Sequence, residues 1–143
     1  MNDAELADID RDGTLELIFY SNRFSYFDGS CFACLSRPPV VFRYDAESGS
    51  YLPANHIFRR FVLRDVKTEI KRIDELNRNQ LDSFPYVLDV VLRYVYAGMR
   101  SDGWRFFDRY YSGKDVRSMK GKIKHRLRGD GVHQFLYFAS RKA

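Results

Sequence analysis

The segment ADIDRDGTLELIFY, residues 7–20, carries oxygen-donor side chains at alternate positions: Asp8, Asp10 and Asp12, followed by Gly13, Thr14 and Glu16. That pattern is the chemistry of a hard cation. Calcium takes about six to eight oxygen ligands at about 2.3–2.6 Å, and acidic loops supply them from side chains at positions 1, 3 and 5 and from the carbonyl at position 7. Here those positions are Asp8, Asp10, Asp12 and Thr14, with Glu16 at position 9. Gly13, at position 6, permits the sharp turn that folds both halves around one centre. An EF-hand also needs a bidentate carboxylate at position 12, which here is Phe19 in an apolar run, so the loop is of another kind. The alternative is an acidic surface turn that holds no ion.

Three other groups of residues could do chemistry. Cys31 and Cys34 form C-F-A-C inside a long irregular stretch, whereas a redox pair of this spacing usually opens a helix after a strand. Zinc would need two more ligands, and His56, His125 and His133 show no paired spacing. A local disulfide or two free thiols is the reading that remains. The segment KDVRSMKGKIKHRLRGDG gathers Lys114, Arg117, Lys120, Lys122, Lys124, Arg126 and Arg128, which could neutralise phosphates or anionic headgroups, or form one solvated helix face. Trp104, Phe106, Phe107, Tyr110 and Tyr111, with Tyr94 and Tyr96, could line a groove, but aromatics at helical spacing more often build a core. No nucleophile elbow, H-E-x-x-H or phosphate-binding glycine loop is present, so no catalytic residues are assigned.

The elements that position these groups can be read from periodicity. LELIFY (15–20) and VVFRY (40–44) read as strands, and DAESGS turns the chain back into a short strand at 51–52. From Asn55 onward the period becomes helical: Phe58, Phe61, Val62, Val66, Ile70, Ile73 and Leu76 make one apolar stripe, predicting a single long helix. Ser83 stands as an N-cap ahead of a buried helix that ends at Gly98. Further helices follow over about 101–111 and 114–128, and HQFLYFAS (133–140) alternates weakly, predicting a closing strand.

Residues 5–53, ADIDRDGTLELIF and then VVFRYDAESGSYLP, resemble a single copy of the FG-GAP/VCBS type of calcium-loop repeat. That likeness implies Asp8, Asp10, Asp12 and Glu16 as side-chain ligands and Thr14 as a backbone ligand to structural Ca2+. With one copy no propeller can close. Arg11, inside the loop, is expected to weaken binding, with affinity on the order of 10⁻⁴–10⁻³ M, as in extracellular modules.

Length and composition bound the rest. The chain of 143 residues, 45% hydrophobic and 16% aromatic, fits one folded domain. Its β-rich part is expected over 1–54 and its helical part over 55–143. Net charge is +5, but residues 113–143 carry nine Lys/Arg against two Asp, so the positive balance lies there. No apolar run is long enough to span a bilayer. No signal peptide is evident, so the protein is periplasmic or secreted if a leader has been removed and cytoplasmic otherwise. The expectation is an α+β fold, with a small antiparallel sheet bearing the calcium loop and three or four helices covering it. The expected role is that of a non-enzymatic, exported bacterial protein acting through protein contacts, as an inhibitor, immunity factor or envelope component. The rival is a cytosolic module that binds nucleic acid or another polyanion through residues 114–128.

Overall fold

The computed structural model describes residues 4–29 and 36–142. Cys31 and Cys34, read from the sequence as a local disulfide or two free thiols, lie outside them. Four strands, β1 (Glu5–Ala7), β2 (Glu16–Tyr20), β3 (Pro39–Asp45) and β4 (Ser50–Pro53), form an antiparallel sheet in the order β1-β2-β3-β4. Ala7 stands opposite Glu16, Ile18 opposite Val41, and Arg43 opposite Leu52. Pairing by twos therefore sets Glu16, Ile18, Val41 and Arg43 on one face. On β3, Val40 and Val41 are buried in two separate apolar clusters, so the strand is covered on both sides and reads as a continuous apolar run.

The helical part is larger than expected. It comprises a single turn, α1 (Arg59–Val62), and five longer helices: α2 (Val66–Arg78), α3 (Phe84–Tyr96), α4 (Arg100–Tyr110), α5 (Val116–Arg128) and α6 (Gly131–Lys142). α3 is buried nearly all round, with Val87, Val90, Val91 and Leu92 wholly enclosed, and the other helices and the sheet pack about it. Most of the main core comes from helices, as a small meander with one edge of three residues could not bury enough by itself.

Two expectations are corrected. The stripe from Phe58 to Leu76 is two helices, because the Val62 carbonyl accepts from Arg93 Nη1 at 3.0 Å and the Val66 N–H turns to Leu63 instead. A side chain from α3 thus enters the backbone ladder and kinks it. HQFLYFAS is helix, not strand. His133 and Leu136 are buried and Ser140 half-buried, at spacings of three and four, and the Asp130 carboxylate accepts the Val132 N–H at 3.0 Å in the manner of an N-cap. At the other boundaries, Ser83 precedes α3 but its hydroxyl donates to Asn77 Oδ1, not to its own helix. Gly98 ends α3 with φ +76°. No helix among the described residues is long and apolar enough to cross a membrane.

Candidate metal centre

The aspartate loop is the tip of the β1–β2 hairpin. β1 ends at Ala7, the loop occupies 8–15, and Glu16 opens β2. Its shape comes from carboxylates that accept its own backbone N–H groups. Asp8 takes the Asp12 N–H at 3.0 Å on Oδ1 and the Gly13 N–H at 2.9 Å on Oδ2. Asp12 Oδ1 takes the Thr14 N–H at 2.8 Å. Arg11 and Gly13 both have positive φ, +60° and +89°; the glycine adopts this without steric cost.

Asp8, Asp10 and Glu16 each present an oxygen within 4.8 Å of the others. Oxygens bound to one calcium ion at about 2.3–2.6 Å lie no more than about 5 Å apart, so three ligands of a single ion fit this spacing. Glu16 is 0 % exposed. One of its oxygens, Oε2, accepts the Ile9 N–H at 2.9 Å, while Oε1 is buried without a hydrogen-bond partner. A carboxylate oxygen enclosed in protein without a donor is costly, and a bound cation is the usual remedy. The donor set is entirely oxygen, which suits a hard ion and not zinc or copper. The three residues can hold a metal ion.

Asp12 stands apart from that cluster. Its Oδ2 accepts from Arg43 Nη2 at 2.5 Å, and the same guanidinium lies 3.6 Å from Asp10. The Asp12 carboxyl is held below the ordinary carboxylate range, chiefly by the Thr14 backbone N–H, which together with the Arg43 charge outweighs the opposing effect of desolvation. The cation that balances the loop is therefore Arg43, not Arg11, which is exposed at the turn. Nothing in the local pattern identifies Arg43, which sits 31 residues beyond Asp12 and reaches it only through sheet register. Thr14 joins the loop as a backbone donor to Asp12.

Of the seven basic residues, Arg117, Lys120 and Lys124 line one shallow pocket on α5, and two of the seven are engaged in ion pairs. Lys120 pairs with Asp108 at 2.5 Å and Lys122 with Asp28 at 2.8 Å. Arg126 donates to the Arg23 carbonyl and lies over Phe27. Lys114 and Arg117 are exposed, and Lys124 and Arg128 border a cleft with Trp104. The remaining aromatics are mainly core: Phe107 stacks on Tyr111 with centroids 4.6 Å apart, and Phe106 on Tyr110 at 4.4 Å. Asn55 went unnoticed in the sequence. It is fully buried, accepts the Val41 N–H and donates to the Pro39 carbonyl, both at 2.8 Å, and so fastens the chain after β4 to β3.

The chain matches no known family model, and no curated protein or solved structure matches it either.

Proposed function

We propose that this protein binds one structural calcium ion at the tip of the β1–β2 hairpin, and that it is an exported, non-enzymatic protein that works through contacts with another protein. The observation that carries the calcium reading is Glu16 Oε1, buried, unpartnered and grouped with Asp8 and Asp10. Asp8, Asp10 and Glu16 would hold the ion. Asp12 would join them on leaving Arg43, and Thr14 would add its carbonyl, as the likeness to FG-GAP/VCBS loops implies. The ion's contribution is charge: it neutralises the carboxylates and ties the loop to the first residue of β2.

Export is favoured by affinity. With Arg43 already compensating two aspartates, binding on the order of 10⁻⁴ M follows, which calcium outside a cell saturates and calcium in a cytosol does not. Contact with a protein is favoured by an apolar strip along β4 and α6, where Tyr44, Tyr51, Ile57, Phe135 and Phe138 are exposed. The rival, polyanion binding along 114–128, is weakened by the ion pairs of Lys120 and Lys122. Calorimetric titration with calcium tests the reading. One saturable site is expected in the wild type and none in Glu16→Gln; a wild type without binding at millimolar calcium would overturn it.

A further inference from the structure

On the side of the molecule formed by α4, α5 and the start of α6, a small cleft of about 70 Å³ is lined by Arg100, Trp104, Lys124, Leu127, Arg128 and His133. Three of these are cations, one from α4 and two from α5, and among the described residues none has a carboxylate within ion-pair distance. Lys120 and Lys122 on α5, by contrast, are both paired. Lys124 Nζ lies 5.0 Å from the Trp104 ring, and the Arg100 guanidinium 4.3 Å from the Tyr137 ring, so aromatic faces hold both cations in place of counter-charges. Three like charges thus border one cleft, and the carboxylate felt there, Asp130, is engaged by Tyr96 and by the backbone of α6, so the positive charge is only partly compensated and suits an anion.

A second observation points the same way. His133 is 7 % exposed, and neither of its buried ring nitrogens makes a hydrogen bond of good geometry, although the Leu127 backbone carbonyl lies close enough to favour the protonated ring. A neutral imidazole always carries one N–H, and a buried N–H of this kind calls for an acceptor. Its volume gives the cleft room for about five water-sized spheres, the bulk of a tetrahedral oxyanion and far less than a nucleic-acid strand.

We propose that this cleft is a binding site for a phosphate group, held by Arg100, Lys124 and Arg128 and completed by His133, with Trp104 at its wall. The long side chains of Arg100 and Arg128 turn inward on binding, and the phosphate oxygens give the imidazole N–H its acceptor. The ligand is a compact dianion, either free phosphate or the phosphate of a small monoester. The site is independent of the calcium loop, which lies on the sheet.

Trp104 is the single tryptophan of the chain, so its emission reports on the cleft directly. The experiment titrates the intact protein with inorganic phosphate in calcium-free buffer, with chloride replaced to hold ionic strength constant. Tryptophan emission and the His133 ring resonances are followed together. A saturable change in both is expected, with affinity about tenfold weaker in Lys124→Gln and in Arg128→Gln and unchanged in Lys122→Gln, whose partner Asp28 lies elsewhere. A parallel titration with glycerol 3-phosphate separates the sources: tighter binding than inorganic phosphate identifies a monoester, equal or weaker binding the free ion. Absence of a saturable change in both signals, an equal response to chloride, or wild-type affinity in both cleft variants would overturn the site.

Discussion

Glu16 is the residue on which the calcium reading turns, because one of its carboxylate oxygens is buried without a partner and a cation would relieve that. The Glu16→Gln amide can still accept the Ile9 N–H, and its new donor faces the Asp8 and Asp10 carboxylates. In chelator this variant should therefore be at least as stable as the wild type, by up to about 1–3 kcal/mol, although it loses a carboxylate of the proposed site. Denaturant unfolding in chelator measures this directly, and a large loss of stability would mean that Glu16 serves the fold in some other way. Arg43 acts in the opposite sense. By pairing with Asp12 and Asp10 it stands where further metal charge would act. Arg43→Gln should tighten calcium binding by about three- to tenfold, from roughly 1 kcal/mol of removed competition, read by calorimetric titration. Asp8 shapes the loop as well as facing the ion, so Asp8→Ala should weaken binding and loosen the hairpin together, seen as faster amide exchange at Asp12 and Gly13.

At the scale of elements, α6 is held against the end of α3 by a close approach. A Cβ placed on Gly98 would lie 2.8 Å from Ser140 Cβ, and the residue has φ +76°. Gly98→Ala should cost about 1–3 kcal/mol, from left-handed strain plus displacement of α6, measured as a lowered denaturation midpoint. The cluster of Asp8, Asp10 and Glu16 was legible in the sequence because its carboxylates lie within nine residues at even spacing and the glycine stands at the turn. Strands β2, β3 and β4 were legible between their turn residues, whereas the three-residue β1 was not, and α3 was legible from its apolar length and from Gly98 at its end. What could not be read depends on distant partners. The kink at residues 63–65 is made by Arg93, some thirty residues away. The ion pair of Arg43 with the loop needs the β2–β3 register, and the cleft at His133 needs three helices to meet. α6 was misread because Phe and Tyr favour strands locally, and packing of His133 and Leu136 against the core overrode that preference.

For the whole molecule, stability should depend on pH and, with the proposed site, on calcium. His133 is pushed below the ordinary imidazole range by burial first and by Arg100 next, with Asp130 and the Leu127 backbone pulling the other way; His56 is lowered by burial and by Arg59. On unfolding both return to about 6.5. Between their depressed folded values and about 6.5 the unfolded chain takes up protons that the folded chain refuses, so stability falls as pH drops through that window and levels off beneath it. Denaturant midpoints at about pH 7.5 and about pH 5.5 should show this loss, with a shallower slope in His133→Gln. Metal should act in the reverse direction at neutral pH: with a dissociation constant on the order of 10⁻⁴ M, about 10 mM calcium adds about 2.7 kcal/mol, a rise of several degrees in a domain of this size. The most direct test of the calcium site is therefore thermal melting of the wild type and of Glu16→Gln, each in calcium and in excess chelator. The account predicts that calcium raises the wild-type midpoint by several degrees and leaves the Glu16→Gln midpoint unmoved. Coincident wild-type curves, or an equal rise in both proteins, would contradict a calcium site built on Glu16.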